Sequence, residues 1–374
     1  METEYDIKKL QELLQKDPSN FQARRELAIT LADNGFNDEA LANLLYLEKY
    51  FQEDADLQYN IGILYEKLKN LEDAKKAYQK AVSISPQEDF YYNLGEVLVS
   101  LSEWDEAIEV FNQVLETDKN DGNCYFNLGI CYLNKEDENK ATDYLQKAIE
   151  LNPDDLFAHF YLGNIYQNKG LTNFAEECYK KVLDISPDYS WAYYNLASIA
   201  YQNGNIDEAK EYLQKTIQYN ETDIEAYKLL IKIFIKENNY EEALSLLNTR
   251  LEKEENGDLF YILAQIYKRL EQEEEYATSL ENALKNNLTL TYQKNIVKKE
   301  YEKINSKLGN IERKDNYELR EEEEKESLEK VNDEVNYNED DDDYDEVDEE
   351  QYEDESYDYT EDDIDEEEYT EENE

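Results

Sequence analysis

The sequence predicts an all-α chain built as a repeat array rather than as separate globular domains, and three rulers agree on the period. The middle residue of each Leu-Gly-like phrase falls at Ala28, Gly62, Gly95, Gly129, Gly163, Ala197, Ile231 and Ala264, in steps of 33 or 34 residues. A second row, Ala40, Ala74, Ala107, Ala141, Ala175, Ala209 and Ala243, keeps the same steps, with Tyr276 in the eighth place. All four prolines, Pro18, Pro86, Pro153 and Pro187, lie 68, 67 and 34 residues apart, each at the end of a unit. Proline cannot continue a helix and pushes the preceding residue out of the α region, so each marks a helix stop.

Within a unit the apolar residues follow a helical period. In the unit from Glu88, Tyr91, Leu94, Leu98 and Leu101 share one face; Ser102-Glu103 interrupts it; Ala107, Phe111, Val114 and Leu115 form a second face. Each unit therefore reads as two short antiparallel helices. A Gly or Ala on the first and an Ala on the second let the backbones approach while Tyr, Leu and Phe fill the space around them. Neither helix is long enough to be stable alone, so the units must stack.

The motif Tyr125, Leu128, Gly129, Tyr132, Ala141, Leu145, Ala148, Pro153 resembles the tetratricopeptide repeat, over roughly residues 1–305. The resemblance implies a right-handed superhelical solenoid whose first helices line a concave groove. Eight units over 21–290 start near 21, 55, 88, 122, 156, 190, 224 and 257. Residues 1–20 read as an N-terminal half repeat with Leu10 and Leu13 on its core face, and 291–310 as a C-terminal capping helix with Val297, Tyr301 and Ile304 at helical spacing. Residues 311–331 read as a charged helix or linker, and 332–374 as a disordered acidic tail.

On the implied groove, Asn60, Asn93, Asn127 and Asn195 stand just before the Leu-Gly position, a row interrupted by Tyr161. An amide row at constant pitch can pair with the backbone of an extended peptide, and a similar ladder lines the repeat domain of O-GlcNAc transferases. Bracing of neighbouring helices is the other reading of the same row. Tyr59, Tyr92, Phe126, Phe160, Tyr194 and Tyr261 precede these positions and would form an aromatic strip, either for a partner or for packing between units. Chaperone-binding members of the family hold a terminal carboxylate with a basic clamp. Here Arg25 is followed by Ile29, and the matching places two units on hold Asp89 and Asn93, so that clamp is absent. Lys228, Lys232, Lys236, Lys268 and Arg269 gather late in the array as a basic patch or as a solvated face.

The net charge is −54, and it is uneven: residues 332–374 hold 26 acids and no base, leaving 66 acids against 38 bases in the first 331 residues. That sign disfavours nucleic acid and anionic membranes as partners. Cys124, Cys131 and Cys178 form no Cys-x-x-Cys pair, so neither a disulfide framework, a metal site nor a cofactor is expected, and a cytoplasmic location is. His159, the only histidine, occupies the place of Tyr125 and Tyr193 and reads as a packing residue. The whole reads as a non-enzymatic scaffold for a protein partner. The alternative is an acidic chaperone or nucleic-acid mimic acting through the tail, whose tyrosines (Tyr337, Tyr344, Tyr352, Tyr357, Tyr359, Tyr369) could anchor basic proteins. The tail could also fold back onto the groove.

Overall fold

The computed structural model describes residues 2–308; the readings for 311–331 and for the tail at 332–374 lie outside the described residues. These residues form eighteen helices, and no strand occurs among them. After α1 (Glu2–Lys16), eight pairs follow. The first helices are α2 (Phe21–Asp33), α4 (Ala55–Lys67), α6 (Glu88–Ser100), α8 (Gly122–Asn134), α10 (Leu156–Asn168), α12 (Ser190–Gln202), α14 (Ile224–Lys236) and α16 (Gly257–Arg269). The second helices are α3 (Asn37–Glu48), α5 (Leu71–Ile84), α7 (Trp104–Thr117), α9 (Glu138–Leu151), α11 (Thr172–Ile185), α13 (Ile206–Tyr219), α15 (Tyr240–Leu251) and α17 (Glu273–Lys285), and α18 (Lys294–Leu308) is the last. The chain divides into two compact units, Met1–Val297 and Lys298–Glu374. The fold is an all-α helical repeat solenoid.

Local chemistry sets the helix ends. Asn20, Asp54, Asp121, Asp155, Asp223 and Asn256 each accept a hydrogen bond from the backbone N–H three residues on, satisfying a donor that the helix start leaves open. Between first and second helix, every pair contains one residue with positive φ: Gly35, Lys69, Ser102, Glu136, Gly170, Gly204, Asn238 and Glu271. The next residue then returns its N–H to the carbonyl five back, as Glu103 does to Leu98 at 2.9 Å. This left-handed stop suits glycine; Lys69, Ser102, Glu136 and Glu271 hold it against the Cβ penalty because the pair's packing demands the turn.

The small residues have the packing role their spacing suggests. A Cβ on Gly62 would stand 2.5 Å from Tyr78, on Gly95 2.6 Å from Phe111, on Gly129 2.7 Å from Leu145 and on Gly163 2.8 Å from Tyr179, all inside contact distance. The large partner limits the facing residue, although Gly129 shows that Gly also stands opposite Leu. Both Tyr and Phe partners face Gly, whereas Ala28, Ala197 and Ala264 occupy the same place in units that carry Leu44, Leu213 and Leu280. Phe111, Tyr78 and Tyr179 are fully buried, each contributing about 2–3 kcal/mol of apolar burial. The cores form across unit boundaries: Tyr78 of α5, Phe111 of α7 and Cys131 of α8 belong to one cluster.

Two local readings are corrected. In α1 the buried face is Leu10 with Ile7 and Leu14 packed beside it, while Leu13 is 40% exposed, because the helix turns Ile7, Leu10 and Leu14 toward α2. The last helix begins at Lys294 rather than 291, and Thr291 belongs to the segment before it, where its N–H donates to the Asp258 carboxylate at 2.6 Å.

Candidate functional site

Neighbouring first helices stand side by side, and residues one period apart tie them together. The Asn93 side-chain amide donates to the Tyr59 hydroxyl at 3.0 Å, and Asn127 donates to that of Tyr92 at 3.3 Å. Asn195 donates to the Asn164 side-chain oxygen at 3.3 Å, while Asn60 turns back to the Asp56 carbonyl of its own helix at 2.7 Å. Three of the four asparagines therefore spend an amide donor on bracing adjacent units.

The aromatic row is likewise half inside. Tyr59 stacks on Phe90 at 4.7 Å, Phe126 meets Tyr161 at 6.0 Å, and Tyr194 is half-buried against the core of its unit. Phe160 is buried among Tyr161, Tyr179, Tyr189 and Trp191. Burial raises the Tyr59 and Tyr92 phenols above the usual tyrosine range, and the charge of Asp89 adds to this at Tyr59. Both stay neutral hydrogen-bonding groups.

On the eight first helices the exposed aromatics are two that the sequence reading passed over. Phe157 and Trp191 occupy the second position of α10 and α12 and are 54% and 61% exposed. Trp191 lies edge-on to Phe160 at 6.3 Å. The signal was available: both residues stand at a helix position where the neighbouring units carry Asn123 or Asp89, so neither is needed for the repeat.

This face changes character along the array. The first helices α4 and α6 carry Asp56, Glu66, Glu88, Asp89 and Glu96 against Lys67 alone. Desolvation lifts the Glu96 carboxyl above the usual glutamate range; a hydrogen bond from Tyr92 offsets part of this, and the charge of Glu66 adds to it. By contrast α8, α10 and α12, three helices of 13 residues, contain no Asp, Glu, Lys or Arg. In a chain that is 35% charged, composition does not account for that gap. Their accessible positions are instead amides and aromatics, among them Asn123, Asn127, Asn134, Asn168 and Gln202.

Beyond the gap, the face closes. Asp258, at the second position of α16, is 2% exposed and receives Lys228 Nζ at 2.6 Å, the Thr291 N–H at 2.6 Å and the Thr291 hydroxyl at 2.8 Å. Tyr261 packs on Tyr292 with ring centroids 4.6 Å apart. Segment 286–292 thus covers this part of α16, and Gly257 is needed beneath it, where a Cβ would meet the Asn286 carbonyl at 2.4 Å. Burial works against the charged Lys228, but its hydrogen bonds to the Asp258 and Glu225 carboxylates outweigh it and hold the ammonium above the usual lysine range. Of the other residues in the late patch, Lys236 lies 5.2 Å from the Tyr201 ring centre and Lys268 5.9 Å from that of Tyr276, while Lys232 is half-buried and Arg269 exposed.

Models of the tetratricopeptide repeat match residues 55–88, 87–154, 144–176, 170–230 and 200–266, which together run unbroken over more than half of the chain. The chain belongs to the tetratricopeptide-repeat family. No curated protein matches it significantly. Among solved tetratricopeptide-repeat structures it is similar to YrrB, described as having an unusual peptide-binding site, at 27% identity, TM-score 0.42, over 50% of this chain and 96% of that one. MamA from Desulfovibrio magneticus matches at 24% identity, TM-score 0.44, over 46% and 97%. A tetratricopeptide repeat protein of Parabacteroides merdae matches at 17%, TM-score 0.48, over 68% and 99%.

His159 and the three cysteines lie within the packing of these repeats. His159 Nε2 donates to the Pro153 carbonyl at 2.9 Å, as the hydroxyls of Tyr125 and Tyr193 do to Lys119 and Pro187 in neighbouring units. Burial pushes the Cys131 and Cys178 thiols up to about 11 and Cys124 higher still, so all three are protonated near neutral pH. Among the described residues, no His, Cys, Asp and Glu cluster could hold a metal ion, and no helix is long and apolar enough to cross a membrane.

Proposed function

We propose that this tetratricopeptide-repeat protein is a non-enzymatic interaction scaffold that holds a peptide segment of a partner protein along the face of its first helices. The observation that carries the reading is the exposure of Phe157 and Trp191 on that face. Other first-helix aromatics there are tucked between units, and an exposed Trp at the same helix position as an exposed Phe one unit earlier is the kind of anchor that dominates protein interfaces. The flanking amides supply donors and acceptors for a peptide backbone.

The test is partner capture from native lysate by the intact chain, by a Phe157→Ala/Trp191→Ala variant and by a chain ending at residue 311. Partners lost with the aromatics and kept without the tail establish the scaffold. Partners lost only with the tail favour the acidic-chaperone reading, for which the 26 acids of 332–374 are the supporting observation. The aromatic pair is a better probe than the asparagines, since Asn93→Ala or Asn127→Ala would also loosen the tie to the preceding unit.

A further inference from the structure

The charge pattern along the face narrows the chemistry of the partner, an inference that rests on the peptide-holding reading above. We propose that α8, α10 and α12 receive the uncharged, aromatic or aliphatic centre of a partner segment, and that basic residues at one end of that segment lie over α4 and α6.

Removing a charged group from water without a counter-charge costs several kcal/mol, whereas a backbone or amide that exchanges water for a protein partner loses little. A strip with no ionised side chain over three consecutive helices therefore rejects charged side chains and admits neutral ones. Phe157 and Trp191 give it apolar anchors, and Asn127, Asn134, Asn168 and Gln202 give it neutral hydrogen-bonding groups. Immediately before it, Asp56, Glu66, Asp89 and Glu96 form an acidic stretch in which carboxylates repel one another, and a cation placed there relieves that repulsion. Interaxial spacings of about 9 Å make three helices about 27 Å wide. That is roughly eight extended residues at ~3.3 Å each.

The same features argue against the chain's own acidic tail as occupant. Residues 332–374 carry 26 acids and no base, the strip itself holds no cation, Lys135 and Lys169 at its margin are paired with Asp105 and Glu138, and α4 and α6 repel the tail.

The experiment selects from a random dodecapeptide library displayed on phage, using the full-length chain. Parallel selections use Phe157→Ala/Trp191→Ala, Asn134→Lys/Asn168→Lys and Glu66→Gln/Glu96→Gln, with helicity checked by circular dichroism; Glu66 is half-buried, and its change to Gln keeps an acceptor oxygen for the Tyr78 hydroxyl, 3.0 Å away. The expected consensus has an uncharged centre bearing an aromatic or large aliphatic residue, with Lys or Arg at one end. A labelled peptide of that consensus should lose at least tenfold in affinity on the first two variants. On the third it should lose its preference for the basic end while still binding. A synthetic 332–374 peptide should not displace it.

A consensus that is acidic, or charged at its centre, yet depends on Trp191 overturns the inference and leaves the peptide-holding reading standing. A consensus indifferent to Phe157, Trp191, Asn134 and Asn168, or none at all, overturns both. Displacement by the 332–374 peptide overturns the inference in favour of the tail as occupant.

Discussion

The central first helices α8, α10 and α12 and the late pair α14 and α16 are copies of one repeat, yet they end as opposite surfaces. The central three are open, uncharged and carry Phe157 and Trp191 outward. In the late pair, the second position of α16 is Asp258, buried under segment 286–292 with Lys228 and Thr291 bound to it. Most positions that pack within a repeat are alike in both regions, Ile231 and Tyr276 being the departures, so the difference in surface is written largely in positions that the packing of a single unit leaves free. In a solenoid, each unit touches only its neighbours, and surface chemistry can change from unit to unit without changing the fold.

The strongest way to break the contrast is Asp258→Ala. It leaves Lys228 with Glu225 alone and strips the anchor from segment 286–292, at a cost of about 3 kcal/mol. The melting temperature should drop by several degrees, and limited proteolysis should open a cut between 286 and 293. An unchanged cleavage pattern would show that Asp258 does not hold the cover.

Next in size is Gly95→Ala. Helix propensity favours Ala by about 1 kcal/mol, but the added Cβ meets the fully buried Phe111 ring at 2.6 Å, and overpacking of that kind costs roughly 1–3 kcal/mol. A net loss is expected in denaturant unfolding. Pairing it with Phe111→Leu should recover part of the loss, because Ala opposite Leu is the combination at Ala28, Ala197 and Ala264. Simple additivity of the two changes in a double-mutant cycle would refute this volume pairing.

A smaller, opposite effect is expected from Ser102→Gly. Its φ of 61° is left-handed, and relieving the Cβ penalty should raise stability by about 0.5–1 kcal/mol, measured by the same unfolding curves. The same change at Gln113, in the helical part of α7, should instead lower it.

The smallest expected change is Glu96→Gln. The folded carboxyl titrates above its ordinary value, so the native state binds the proton more readily than the unfolded chain. That contribution to stability is fully present below the ordinary glutamate pKa and is lost as pH rises through the raised one. The variant should therefore be slightly more stable than the parent at pH 7 and equal to it near pH 4. Thermal melts at the two pH values check the sign. The reverse order would mean that Glu96 has an ionic partner on this face.

Much of the fold was legible because the repeat writes the same constraint eight times. The glycines and alanines mark where two helix backbones touch, the prolines mark where helices end, and a period of 33 or 34 residues lets each observation check the others. The site was less legible. Asn93 and Asn127 read equally well as peptide ligands or as braces, since an amide at constant pitch can do either. Only the 34- and 35-residue reach to Tyr59 and Tyr92 shows them bracing. Leu13 was misplaced because Leu10, Leu13 and Leu14 all fit a helical period, and the side that faces α2 is fixed by docking rather than by spacing.

By itself, then, the sequence determined the helices, their pairing, their stops and the acidic balance, because these depend on residues close in the chain or one period apart. Tertiary structure decided which aromatics are buried and which point outward, which amides are already taken, and where the face is closed. Those outcomes depend on side chains brought together across units, such as Asp258 with Thr291 or Phe160 with Trp191. No local pattern encodes the competition between such contacts and water.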